Sequence, residues 1–235
     1  MLREPVKITG AGRTDSGVHA TGQVVSFATS CLFPVERLAV ALNALLPRDC
    51  SVRDATAVDE GFSARFSARE RVYVYAVLND PARHALTARF AWHVPRPIDV
   101  EVMGAAGACL LGKHDFRAFS VPAAEPAVRN VRRLRIDRLE RLVRVEIAAD
   151  GFLHHMVRVI VGTLVECGEG RRDPAQPAAV LASGDRSAAG ITAPPQGLYL
   201  AGVGYPDGYD SYLEPPVFAG RPAAASALDG ARAFP

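Results

Sequence analysis

Long apolar runs, paired cysteines and lysine are the features that this 235-residue sequence has least of. No apolar run approaches the roughly 18 residues that cross a bilayer, and the first residues lack the apolar core of a secretory signal. The four cysteines (Cys31, Cys50, Cys109 and Cys167) are isolated, with no CxxC pair. We therefore expect a cytoplasmic protein with reduced thiols.

Lysine occurs only at positions 7 and 113, and every other basic side chain is arginine. The formal net charge is only +2, so charge alone does not indicate a nucleic-acid partner. A GC-rich genome, which favours arginine codons, explains the bias. The guanidinium group also suits phosphate contacts and stacking on bases, and the two explanations are compatible.

A phosphate-binding loop is also absent, although the segment GAGRTDSGVHA at residues 10–20 is rich in glycine. It lacks the GxxxxGK[ST] spacing, and its carboxylate Asp15 would repel a phosphate. Aspartate is common in tight turns for purely conformational reasons. The glycines around it would also let a ligand approach the backbone. Asp15 is therefore either a turn residue or a catalytic carboxylate.

The hydrophobic pattern predicts strands alternating with helices, as in an α+β fold with antiparallel sheets and two related halves. The predicted strands cover 6–8, 23–27, 51–58, 71–77, 132–139, 142–148 and 197–203. The predicted helices cover 34–46, 98–111, 152–167 and 177–182. We expect an N-terminal half at 1–60 that carries Asp15 and a C-terminal half at 61–205. Residues 206–235, rich in Ala, Pro and Gly, are expected to be a disordered tail.

An arginine lies in the middle of the helix predicted for 152–167, which is apolar nearly all round and therefore buried. A buried unpaired charge is costly, so Arg158 requires an anion. That anion is either any nearby carboxylate, in a purely structural ion pair, or a catalytic carboxylate that the arginine keeps ionised and oriented. Asp15 is the strongest candidate for the second case.

Two further aromatic features admit both structural and functional interpretations. Tyr73, on the strand predicted for 71–77, is either a packing residue or a flat ring that stacks on an extruded base. His154 and His155 would point about 100° apart on a helix, so a joint metal site is poorly supported. A metal-dependent hydrolase that uses Asp15, His19 and His154 is kept only as a minor alternative.

Five separated segments resemble the tRNA pseudouridine synthase A family, in the family's order and over most of residues 6–206. They are GAGRTDSGVHATGQVVSF, FSARFSARERVYVY, LLGKHDFRAF, DGFLHHMVRVIVGTLVECGEG and GITAPPQGLYLAGVGYP. The resemblance implies the α+β pseudouridine synthase fold, in which helices flank the sheets of two similar halves and a basic active-site cleft lies between them. It also implies isomerisation of uridine to pseudouridine at positions 38–40 of the tRNA anticodon arm, by a homodimer that uses no metal or organic cofactor.

The resemblance also implies roles for individual residues. Asp15 is the central catalytic residue, Tyr73 stacks on the extruded uracil, and Arg158 keeps the aspartate charged. Arg13 enters the space that the base leaves. Further tRNA contacts are implied for Arg65 and Phe66, with Arg69 and Arg129 as weaker candidates for phosphate contact.

The sequence departs from the family pattern in two places. Ser16 replaces an alanine that many members carry. The family also has a strand and a helix before the catalytic segment, and we expect the first half to lack both. This shortening motivates an alternative function, a catalytically inactive tRNA-binding protein.

Overall fold

Strands and helices follow one another along the chain as the hydrophobic pattern predicts for an α+β fold. The structure is a computed structural model that describes residues 2–121, 126–206 and 208–219. Within these residues the strands are β1 Thr9–Gly10, β2 His19–Ala20, β3 Val25–Ser26, β4 Glu70–Asn79, β5 Trp92–Val94, β6 Gly112–Asp115, β7 Val128–Leu139, β8 Leu142–Ala149, β9 Leu198–Gly204 and β10 Ser211–Tyr212. The α-helices are α1 Leu38–Asn43, α2 Val100–Gly107, α3 Met156–Gly168 and α4 Gln176–Ser183. None of the helices in these ranges is long and apolar enough to cross a bilayer.

The chain contacts divide the protein into two units whose boundaries differ from the predicted 1–60 and 61–205. Unit 1 consists of the chain up to Gly12 together with Val24–Ser67. Unit 2 consists of Arg13–Gln23 together with the chain from Ala68 onward. Asp15 therefore belongs to the second unit, and the prediction that the first half carries it is wrong. The reason is that residues 19–20 pair with β9, far along the chain.

Unit 2 is built on a mixed eight-stranded sheet, whose central path is β10-β9-β4-β8-β7-β6. The pairs along this path are antiparallel, while β2 pairs with β9 and β5 pairs with β4 in parallel. The antiparallel pair predicted from 132–139 and 142–148 is confirmed as β7 and β8, with a tight turn between Leu139 and Leu142. The α+β class predicted from the sequence is confirmed.

The alternation in β4 decides which side chains enter the main core. Tyr75 and Val77 lie in the apolar cluster that includes the buried side chains of α2 and α3. Val74 and Ala76, one residue out of phase, lie in a second cluster on the opposite face. This is the period-two division predicted for the strand.

Asp99 caps α2 by accepting hydrogen bonds from the backbone N–H groups of Glu101 and Val102, 2.9 and 3.1 Å away.

The second face of the sheet carries a buried ion network beside its small apolar cluster. Arg144 and Glu146 of β8 are both almost fully buried, and Arg144 also donates to Glu214 and Tyr212 of the C-terminal segment. Arg133 of β7 donates to Glu146 over 2.7 Å. Each buried charge therefore has a partner of opposite sign, which is the condition for burying it.

The predicted tail does not begin at residue 206. Strand β10 pairs with β9, and Phe218 is 2% exposed within the second apolar cluster. The disorder prediction is therefore wrong for 208–219, because long-range packing, which composition does not record, holds this segment on the sheet. Residues 220–235 lie outside the described residues.

Unit 1 contains the paired strands β1 and β3 and the single helix α1 among its described residues. The helix predicted from Pro34 to Leu46 is shorter than expected: a 3₁₀ turn at Val35–Arg37 precedes α1, which ends at Asn43. No residue of α1 is buried. The strand predicted for residues 51–58 is wrong, since these residues join no ladder.

Candidate active site

Asp15 begins a tight turn that the glycine after it makes possible. The N–H of Val18 donates to the carbonyl of Asp15 over 3.0 Å, and Gly17 has a φ of 81°, the left-handed region that favours glycine. The N–H groups of Thr21 and Gly22 then both donate to the carbonyl of Leu200, each over 3.0 Å. The turn is thereby attached to the edge of the sheet in unit 2, with the Asp15 side chain 24% exposed.

Arg158 pairs with this carboxylate, as the apolar surroundings of the arginine predict. Every other residue of the described helix α3 is buried, and the Arg158 side chain is only 13% exposed. Its Nη1 donates to Asp15 Oδ2 over 2.9 Å, and its Nε donates to the carbonyl of Ala193 over 2.7 Å. The predicted ion pair is confirmed, and the guanidinium is held at two separate atoms.

Tyr73 lies on β4, close enough to Asp15 to be influenced by its charge. Its ring meets the ring of Phe152 edge-on, with the centroids 5.1 Å apart. Burial and the charge of Asp15 raise the pKa of Tyr73 to about 12, against an opposing effect of Arg71. The phenol therefore keeps its proton at neutral pH and can donate a hydrogen bond.

Two histidines that the sequence reasoning set aside also face Asp15. Helix α3 begins at Met156 rather than at 152, and His155 has a φ of 61° at the helix cap. The two rings therefore stack, with centroids 3.8 Å apart, instead of diverging as on a helix. Nε2 of His154 lies 3.3 Å from Asp15 Oδ1, and Nε2 of His155 lies 3.3 Å from Oδ2.

The sequence does contain a pattern that indicates a site role for these two histidines. Residues 154 and 155 are adjacent polar side chains at the very start of an apolar helix, shortly after the turn residues Asp150 and Gly151. A helix start commonly carries residues with non-helical backbone angles. The expectation that the two histidine side chains point about 100° apart, which assumes a helical backbone, therefore does not hold there.

The cluster of Asp15, His154 and His155 brings one donor atom from each residue within 4.8 Å of the others. Aspartate and histidine are ordinary ligands of zinc. However, the guanidinium of Arg158 already occupies Asp15 Oδ2 at 2.9 Å, and its positive charge opposes a cation at the same oxygen. The donor set therefore fits an ion pair better than a metal centre.

His19 does not join this cluster. Its Nε2 lies 3.0 Å from the carbonyl oxygen of Arg89, and its ring stacks on Tyr199 with centroids 4.9 Å apart. The alternative metal site of Asp15, His19 and His154 is therefore not formed, because His19 lies elsewhere.

The predicted tRNA-contacting residues fall in both units. Arg13 is exposed and lies two residues before Asp15 in unit 2. Arg65 and Phe66 belong to unit 1, where the guanidinium lies 5.5 Å from the ring centroid and Phe66 is 81% exposed. An exposed phenylalanine beside an arginine provides a flat apolar face and a positive charge together.

Comparison with known proteins points to the same family that the sequence segments resemble. The family described as tRNA pseudouridine synthase matches residues 2–67 and 106–206. A tRNA pseudouridine synthase A of Geotalea uraniireducens is 42% identical over 207 residues, which cover 87% of this chain and 85% of that protein. Proteins of the same description from a Thermoanaerobacter species and from Pectobacterium atrosepticum are 43% and 44% identical, over 86% of this chain and 84% and 72% of theirs. The chain therefore belongs to the tRNA pseudouridine synthase family, whose members are isomerases.

Proposed function

We propose that the protein converts uridine to pseudouridine in the anticodon arm of tRNA, at positions 38–40. The observation that carries this proposal is the Asp15 carboxylate, which Arg158 holds and whose charge acts on the partly buried phenol of Tyr73. All three residues lie in segments that resemble the family; the family match includes Asp15 and Arg158, while Tyr73 lies between its two matched ranges. Their presence and proximity favour an active enzyme over a tRNA-binding protein without activity.

The reaction breaks the bond between C1′ and N1 of uridine and forms a bond between C1′ and C5. One proton leaves C5 and one proton reaches N1, so the conversion needs no oxidant, reductant or net proton. A carboxylate supports it either as a covalent nucleophile at the sugar or as a base that stabilises the sugar intermediate. Asp15 is assigned this central role in either case, with Arg158 keeping it charged and aligned.

The other predicted residues bind the RNA in this proposal. A uracil in a folded arm has to leave its stack before an enzyme can act on it. Arg13, exposed and two residues from Asp15, fills the space that the base leaves. Tyr73 stacks on the extruded uracil, with its protonated hydroxyl available as a donor. Arg65 and Phe66 contact the phosphates and an unpaired base.

The proposal includes a cytoplasmic homodimer that requires no metal or organic cofactor. The family resemblance supports each of these points. Full activity after exhaustive chelation is the expected result, and loss of activity that zinc restores would instead favour a metal-dependent enzyme.

The deciding experiment compares Asp15→Asn with the native protein on a tRNA transcript that has uridine at positions 38–40. Pseudouridine is mapped by mass spectrometry of nuclease fragments. We expect product with the native protein and none with Asp15→Asn. The matched control is Glu101→Gln, which makes the same carboxylate-to-amide change at an exposed position of α2 and should stay active.

The alternative of an inactive binding protein gives a different pattern. Both forms would then bind tRNA in a salt-dependent manner, and neither would produce pseudouridine. A transcript with cytidine at all three positions tests the site preference, since it should yield no product with the native protein.

A further inference from the structure

The half-exposed imidazole of His154 has a close partner at each of its nitrogens. Nδ1 lies within hydrogen-bond distance of the carbonyl oxygen of Val121, and Nε2 lies 3.3 Å from Asp15 Oδ1. The backbone of His154 is fixed as well, because its carbonyl accepts from the N–H of Val121 and from the hydroxyl of Ser120, each over 3.2 Å. The ring therefore has a defined position between residue 121 and the carboxylate.

This position determines where the protons lie. A carbonyl oxygen only accepts, so Nδ1 of His154 carries a proton and donates it to Val121. In a neutral imidazole the other nitrogen, Nε2, then has a lone pair, and this lone pair would face the carboxylate oxygen. The contact is favourable only when one further proton lies between Nε2 and Oδ1.

His155 differs from His154 in this respect. Its Nε2 lies 3.3 Å from Asp15 Oδ2, and burial lowers the pKa of His155 despite the opposing charge of Asp15. A neutral His155 can still donate from Nε2, since no contact described for the ring fixes its proton on Nδ1. Oδ2 therefore has the cationic donor Arg158 at 2.9 Å beside a His155 nitrogen that need not be cationic, whereas the partner described for Oδ1 is Nε2 of His154.

We propose that His154 is a positioning residue, which fixes the plane of the Asp15 carboxylate through a single proton shared between Nε2 and Oδ1. The inference rests on the proposed function, because it assumes that Asp15 acts on uridine. Among the described residues, the charged and titratable groups around this pair are His155 and Arg158, Tyr73 beside Asp15, and Arg186 beside His155. Loss of the shared proton leaves two electron-rich atoms in contact and releases the carboxylate from its alignment.

The test is the single-turnover rate of pseudouridine formation measured as a function of pH. The native rate should fall in alkaline solution, once the shared proton is lost. His154→Leu should lower the rate about ten- to hundredfold, the loss expected when a hydrogen bond to a charged group is removed. The affinity for tRNA should not change, since the residue acts through Asp15.

A conservative variant separates positioning from simple packing. In His154→Gln the side-chain amide can donate to Oδ1 at every pH, so part of the rate should return and the alkaline fall should disappear. The matched control is His155→Gln, which should retain the alkaline fall. A nitrogen NMR titration of the free protein provides a second readout, in which the His154 signals should respond to Asp15→Asn.

The outcomes distinguish this inference from the proposed function. An inactive native protein would overturn the proposed function, and an active Asp15→Asn would overturn the role of Asp15. If both of those results are as expected, an alkaline fall that persists in His154→Gln, or that disappears in His155→Gln, would overturn the role of His154 alone.

Discussion

Replacing Arg158 with lysine keeps the charge but removes the two-point attachment, and this makes it the most informative change in the site. The guanidinium donates from Nε to the carbonyl of Ala193 and from Nη1 to Asp15, over 2.7 and 2.9 Å. The single ammonium of lysine cannot occupy both positions, so either the carboxylate or the carbonyl loses its donor. We therefore expect Arg158→Lys to bind tRNA normally and to react slowly.

The size of the effect follows from the contact that is lost. A hydrogen bond to a charged group contributes about 1.5–3 kcal/mol, which corresponds to about ten- to 150-fold in rate. The Asp15 side chain is 24% exposed, so water replaces part of the interaction and favours the lower end. Arg158→Met removes both donors and the charge, and its loss should reach the upper end of that range or exceed it.

The assay is single-turnover pseudouridine formation with enzyme in excess, together with an equilibrium measurement of tRNA binding. Arg96→Lys, at an exposed arginine between β5 and α2, is the matched control. A double-mutant cycle with Asp15→Asn, measured by urea unfolding, isolates the pairwise contribution of the ion pair. An Arg158→Lys enzyme within twofold of the native rate, or strictly additive unfolding free energies, would refute the reasoning.

Three further outcomes are expected. Tyr73→Phe should slow the reaction without changing the shape of the pH profile below about pH 10, because the pKa of Tyr73 is about 12, and spectrophotometric titration should show this late ionisation. Burial alone would raise the pKa of Glu146, but its two arginine partners hold this pKa below the ordinary value of 4.5. The stability that this ion pair contributes is therefore present above pH 4.5 and is lost as the pH falls through the folded-state pKa. In urea unfolding, Glu146→Gln should lose less free energy of unfolding in acid than the native protein does. Gly162→Ala would place a Cβ 1.9 Å from the carbonyl oxygen of Ile191 and should destabilise the protein by about 1–3 kcal/mol in thermal unfolding. The control is Gly104→Ala, in an exposed part of α2 with open space around it, which should be neutral or slightly stabilising.

The features that the sequence predicted well follow from the local pattern of apolar, polar and charged residues. The two faces of β4 follow from alternation alone, and the ion pair of Arg158 follows from the cost of an unpaired charge in an apolar helix. Asp15 is the strongest candidate for the anion because the glycines around it let a ligand approach the backbone.

The features that the sequence predicted poorly depend on individual backbone angles or on contacts far along the chain. The start of α3 moved from 152 to 156 because His155 adopts a left-handed backbone, and this brought both histidines to Asp15. The burial of Phe218 depends on a sheet face that includes Val74 and Ala76, more than a hundred positions earlier. In unit 1 the helix predicted for 34–46 shortens to α1, none of whose residues is buried, and Leu45, just beyond the helix, is 74% exposed.

The path of the chain near Asp15 has a consequence for how the protein can be divided. The chain leaves unit 1 after Gly12, adds residues 13–23 to the sheet of unit 2, and returns to unit 1 at Val24. A single cut between Ser67 and Ala68 would therefore not separate the units cleanly, because the first fragment would still contain the segment that pairs with β9. The two pieces should reassociate through that segment, as in fragment complementation, with Asp15 supplied by one polypeptide and its partner Arg158 by the other.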